Sequence, residues 1–67
     1  MLLCIDIGNT NIVLGLYRGD SLVTHWRIST DHERMPDEYA MTAVNLFAHA
    51  GYTFDQVEDT IIASVVP

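Results

Sequence analysis

The sequence predicts an α/β fold: a mixed four-stranded sheet, order 3-2-1-4, crossed by one helix. Three observations predict it. Two apolar runs, Met1 to Ile5 and Ile12 to Tyr17, flank a short polar bend. An alternating run follows at 22–28. A segment with apolar residues three and four apart, Pro36 to Gly51, then separates these runs from a β-branched stretch, Thr60 to Val66.

Residues 2–7 form a short continuous apolar run ended by turn residues, the pattern of a buried strand. Residues 12–17 make the second strand. The connection Gly8 to Asn11 is short enough for a hairpin, so the two strands pair antiparallel. Arg18-Gly19-Asp20-Ser21 is a second turn of this kind. In the third strand, 22–28, Leu22, Thr24, Trp26 and Ile28 share one face, while Val23, His25 and Arg27 share the other. That is a half-exposed strand at the sheet edge.

Ser29 to Met35 is a polar connection. Pro36 suits the first helical turn, and Asp37 and Glu38 complement the positive end of the helix dipole. Ala40, Ala43, Val44, Phe47 and Gly51 draw one narrow apolar stripe, and Gly51 supplies the stop. Tyr52 to Asp59 is a loop anchored by Phe54 and Val57. The β-branched run 60–66 reads as a fully buried strand, ended by Pro67. A helix between strands demands a parallel, right-handed crossover, and the free slot lies beside strand one. Phe47, Trp26 and Tyr52 are core candidates.

The bend Asp6-Ile7-Gly8-Asn9-Thr10-Asn11 carries the chemistry. It gathers one carboxylate, hydroxyl and amide groups, and backbone N–H groups beside a glycine that permits close approach. Oriented N–H groups attract phosphate oxygens, and a carboxylate holds Mg²⁺ directly or through water. The same residue types also make an ordinary hairpin loop. Asp6 weighs against that blander reading, because a carboxylate ending a buried strand needs partners.

Composition narrows the rest. A chain of 67 residues is one small domain at most. Domains of this size bury only about 60% of their unfolded surface. Cys4 is the sole cysteine, so no disulfide and no cysteine-based zinc site can be built; inside an apolar run it reads as a core thiol. His25, His32 and His49 lack ligand spacing and read as surface residues or helix-end cations. Net charge is −6 with no lysine, which argues against direct nucleic-acid contact. No basic n-region precedes the first apolar run, and no run approaches the roughly 20 residues of a membrane span. A cytoplasmic setting is expected. An apolar last strand on an open edge is a hazard, so the sequence is expected to be the opening part of a larger domain.

The element order, with Asp at the first hairpin, resembles the first half of a ribonuclease-H-like fold, the scaffold of acetate kinases, sugar kinases, Hsp70 and actin. Leu2-Leu3-Cys4-Ile5-Asp6-Ile7-Gly8-Asn9-Thr10-Asn11 is similar to the first phosphate motif of type III pantothenate kinases. Trp26-Arg27-Ile28-Ser29-Thr30, Asp37-Glu38-Tyr39 and Ser64-Val65-Val66-Pro67 resemble that family too, in the correct order. The resemblance implies that residues 1–67 are a partial ribonuclease-H-like (actin-like ATPase) domain, incomplete at its C-terminus. It implies ATP-dependent phosphorylation of pantothenate to 4′-phosphopantothenate, on the way to coenzyme A. Family members are homodimers that need a monovalent cation, K⁺ or NH₄⁺. Their general base, pantothenate contacts and cation ligands lie in motifs after Pro67.

What carries over is the ATP phosphate site: Asp6, Ile7, Gly8, Asn9, Thr10, Asn11, Ile12 and Val13. Asp6 would hold Mg²⁺, and the Gly8 to Asn11 amides with the Thr10 hydroxyl and the Asn side chains would orient the β- and γ-phosphates. The chain by itself is expected to be inactive. Three other readings stay open. One is an accessory, transcription-regulating relative on the same scaffold. Another is a ribonuclease-H-like nuclease using Asp6 and Glu38 as metal carboxylates, which the absence of lysine weakens. The last is a scaffold without a ligand. Arg27, beside Trp26, can reach a ligand, but a cross-strand or solvent role is expected; Asp37-Glu38-Tyr39 is expected as a helix start over a site role, and Ser64 as structural, although strand ends in such sheets often border the ligand cleft.

Overall fold

A computed structural model of the chain describes residues 1–31 and 33–64. The expectations for His32, Val65, Val66 and Pro67 lie outside these residues. The elements are β1 (Leu2–Ile7), β2 (Asn11–Arg18), β3 (Ser21–Ser29), α1 (Pro36–Ala50), a 3₁₀ turn (Phe54–Gln56) and β4 (Asp59–Ser64). The sheet order is β3-β2-β1-β4, with β1 and β2 antiparallel, β2 and β3 antiparallel, and β4 parallel to β1. This is the predicted topology, consistent with the N-terminal half of an actin-like, ribonuclease-H-like fold.

Alternation along the strands sets two faces. Leu3, Leu14 and Leu16 face α1 and form the core with Phe47, the helix's one buried side chain. Leu16 is 0% and Phe47 1% exposed. Trp26 of β3 stacks on Phe47 at 5.2 Å between ring centroids, and Phe54 meets Phe47 edge-on at 4.7 Å. Val57 packs against the same cluster, as expected of a loop anchor, and so does Tyr52, a core candidate. The opposite face carries Cys4, Asp6, Val13, Gly15, Tyr17 and His25 around a shallow hollow of about 470 Å³.

α1 begins at Pro36, with Asp37 and Glu38 in its first turn, and stops at Gly51 with φ 88°. That left-handed conformation lets the Gly51 N–H reach the Ala48 carbonyl at 3.1 Å. The Glu38 carboxylate accepts the Met35 N–H at 3.4 Å, and the Tyr39 hydroxyl brackets the Asp31 backbone, accepting from its N–H and donating to its carbonyl, each at 2.8 Å.

Several expectations need correction. The first hairpin loop is Gly8 to Thr10, because Asn11 already pairs with Ser29 as the first residue of β2. Leu22 does not share a face with Trp26. The register jumps from Leu16↔Thr24 to Tyr17↔Leu22, a bulge that leaves Val23 unpaired and turns Leu22 toward Gly15 and Tyr17. Within the helical stripe, Ala40 and Val44 are exposed, and Leu46 packs on the core in their stead. Cys4 is half-buried on the face away from α1. Composition predicts a buried β4, yet the whole strand is exposed, Ile61 by 55% and Ile62 by 63%. β-branched residues suit a covered strand, but burial needs a neighbour above, below and beside. α1 lies over β1, β2 and β3, and β4 is the outer strand of the described sheet. Ser64, read as buried and structural, is exposed for the same reason.

Candidate functional site: the first hairpin loop

The loop is closed by the Gly8 N–H, which donates to the Asn11 carbonyl at 2.8 Å. Glycine is required for closeness. A Cβ on Gly8 would lie 3.0 Å from that same Asn11 oxygen. Its φ is not positive, so the requirement is space and not left-handed backbone. A second fastening comes from the residue just after β3. The Thr30 hydroxyl donates to the Gly8 carbonyl at 2.9 Å, and the Thr30 N–H donates to the Thr10 carbonyl at 2.9 Å. The loop is therefore held on both flanks: by its own closing bond and by β3 reaching across.

These bonds decide which groups can meet a ligand. The Gly8 amide, expected as one of the phosphate donors, is already engaged. The Asn11 residue belongs to the β2–β3 ladder. The exposed Asn9 and Thr10 keep their amides without a partner among the described residues. Asn11 Nδ2 donates to Thr10 Oγ1 at 3.1 Å, so the hydroxyl accepts there and keeps its own hydrogen for another acceptor.

Asp6 pairs with Val13, and Ile7 with Ile12, across the β1–β2 ladder. Alternation puts Asp6 and Val13 on the open face and Ile7 and Ile12 on the helix side, where both line the cavity under α1. The Asp6 carboxylate is exposed and makes no hydrogen bond or ion pair among the described residues. The expectation that it needs partners because its strand is buried is thus corrected: β1 is covered by α1 on the other face only. An uncommitted carboxylate one residue from the end of β1 fits a metal ion shared with phosphate, because its oxygens are not already spent on the protein.

Other candidates are not gathered here. Glu38, the second carboxylate of the nuclease reading, lies at the start of α1 and faces Met35 and Arg34. Among the described residues no group of three or more His, Cys, Asp or Glu side chains could hold a metal ion. His25 and His49 are exposed, as expected. No helix among the described residues is long and apolar enough to cross a membrane.

Two residues next to the loop were outside the expected site. Thr30 is 22 positions from Gly8 in sequence, but the antiparallel order of β1, β2 and β3 returns the end of β3 to the first loop. The signal lay in that topology. Arg27 pairs with Val13 and so shares the open face with Asp6.

The family model for type III pantothenate kinase matches residues 2–67. The chain belongs to the type III pantothenate kinase family. Relatives bearing that name agree closely along all 67 residues: 60% identity with the protein of Exiguobacterium sp., 60% with that of Brevibacillus brevis and 58% with that of Syntrophotalea carbinolica. The chain spans about a quarter, 26%, of the length of each.

Proposed function

We propose that this chain is the N-terminal, ATP-phosphate-binding segment of a pantothenate kinase that makes 4′-phosphopantothenate. The observation that carries the reading is the doubly fastened loop, with Asp6 uncommitted beside it, in a chain of this family. Residues Asp6 to Val13 form the nucleotide site in this proposal. The open amides of Asn9 and Thr10 and the Thr10 hydroxyl bind phosphate oxygens, and Asp6 holds Mg²⁺. Ile7, Ile12 and Val13 contribute no polar chemistry; they fix the strand ends from which the loop springs. Mg-ATP supplies the transferable phosphoryl group when bound.

Phosphoryl transfer needs positioning and charge neutralisation more than covalent help from the protein. A loop anchored before the ligand arrives meets that need, because little order remains to be imposed on binding. Asp6 is a metal-holding group here and not the proton acceptor, since a carboxylate committed to a cation is a poor base. The general base, the pantothenate contacts and the K⁺ or NH₄⁺ ligands belong, on this reading, to parts of the family's length outside this chain. A cytoplasmic homodimer is part of the same proposal.

Calorimetric titration with Mg-ATP tests it. Asp6→Asn should weaken Mg-ATP at least tenfold and leave metal-free ATP nearly unchanged. Equal Mg-ATP affinity for both proteins would refute the site.

A further inference from the structure

We propose that Arg27 is a phosphate-contact residue of the same nucleotide site, standing across Val13 from Asp6; the inference rests on the nucleotide reading above. Asp6 pairs with Val13, and Val13 pairs with Arg27, so the three side chains form one row on the face away from α1. Neighbouring strands lie about 5 Å apart, which sets the Asp6 and Arg27 backbones about 10 Å from one another. Between them is only the apolar Val13.

The two charges do not neutralise each other. Both residues are exposed, and neither side chain makes an ion pair or hydrogen bond among the described residues. Immediately around them the face is apolar or uncharged: Cys4, Gly15, Tyr17, Ile61 and Ala63, with His25 the nearest titratable group on β3; the other carboxylate of this face, Asp59, pairs with Leu2 at the far end of β1. An ordinary solvated face carries scattered charges of both signs. At the end near the first loop this one carries one carboxylate, Asp6, and one guanidinium, Arg27, separated by the width of one strand.

Cations are scarce in this chain, with three arginines and no lysine. Arg34 is occupied, with Nε 3.9 Å from Glu38 and its guanidinium over the Tyr39 ring. Arg18 sits at the far hairpin, opposite Ser21. Among the described residues, Arg27 is the one uncommitted cation near the loop. Its aliphatic stem can lie along Val13 while the head stays in water. It also stands three positions before Thr30, the residue that fastens the loop.

A polyphosphate fits between these groups. Oxygens that share the metal lie on the Asp6 side. Oxygens on the other flank meet the planar guanidinium fork, which matches phosphate in a two-bond geometry that a lysine ammonium does not reproduce. The site then has a cation on each side of the phosphate chain, one supplied by the metal and one by β3.

Titration calorimetry on the intact protein tests the assignment, with Mg-ATP, Mg-ADP and adenosine as probes. Arg27→Gln should weaken Mg-ATP about tenfold to a hundredfold, the loss expected for a charge-assisted hydrogen-bond pair. Mg-ADP should lose less, and adenosine nothing. Arg27→Lys should recover part of the loss, and the far-ultraviolet circular dichroism of both variants should match the parent. Arg27→Gln binding Mg-ATP within twofold of the parent, while Asp6→Asn binds it poorly, overturns this inference alone. Unchanged affinity in both variants overturns the nucleotide site itself. Equal weakening of all three probes, with altered circular dichroism, assigns Arg27 a structural role and also overturns the inference.

Discussion

Thr30→Val removes one hydroxyl and keeps the side chain's shape. Thr30 Oγ1 donates to the Gly8 carbonyl at 2.9 Å in a half-buried position, while the Thr30 N–H to Thr10 is a backbone bond that the substitution leaves intact. A typical intramolecular hydrogen bond contributes about 0.5–1.5 kcal/mol net, and an acceptor left dry costs more. Water can reach a half-buried carbonyl, so the expected loss is about 1 kcal/mol. If that loss falls on the order of the loop before nucleotide arrives, it converts to about a fivefold weaker Mg-ATP affinity. Chemical denaturation reads the first quantity and titration calorimetry the second. Thr30→Ser is the control: it keeps the hydroxyl and should bind nucleotide like the parent. The reasoning is refuted if the Ser and Val variants lose affinity equally, since the missing methyl and not the hydrogen bond would then be responsible. It is refuted also if Val matches the parent in both measurements.

Gly8→Ala places a methyl 3.0 Å from a backbone oxygen that cannot rotate aside, so the loop must open at its 2.8 Å closing bond; Mg-ATP affinity should fall about fivefold to tenfold by titration. Phe47→Ala empties the centre of the core and removes both ring contacts. Such truncations cost about 3–5 kcal/mol, comparable with the whole stability of a domain this size. The near-ultraviolet circular dichroism of Trp26, the only tryptophan, should therefore be lost. Gly51→Ala forces a side chain into φ 88° and should lower stability by roughly 1–2 kcal/mol in denaturation experiments without touching nucleotide affinity.

Much of the fold is legible in the order of the residues because local rules and global topology agree. Pro36, the acidic first turn and Gly51 mark α1 at both ends, and the structure keeps both marks. The short polar bends after Ile7 and Arg18 force antiparallel neighbours, and the helix forces β4 to run parallel beside β1. The departures from the local pattern come from tertiary contacts. The bulge opposite Leu16 reverses the face of Leu22, and no period-two count within β3 reveals a residue skipped in pairing. Val44 satisfies the helical spacing, yet the core is filled by Phe47, Ala43 and Leu46.

The candidate site divides in the same way. Asp6, Gly8, Asn9, Thr10 and Asn11 announce themselves as a turn with one carboxylate, since acidic and small polar residues have few other reasons to interrupt two apolar strands. Which of their groups remain open to a ligand follows from bonds made across the fold. The Gly8 amide is consumed by Asn11, the Gly8 carbonyl by Thr30, and the Thr10 hydroxyl is oriented by Asn11. Arg27 acquires its place beside Asp6 only through two successive strand registers. Sequence by itself determined the element types, their order and the chemical character of the first bend, because these depend on neighbours within a few residues. Tertiary structure alone decided the availability of each polar group and the company of each charge, because both depend on side chains and carbonyls brought together from twenty or so positions away.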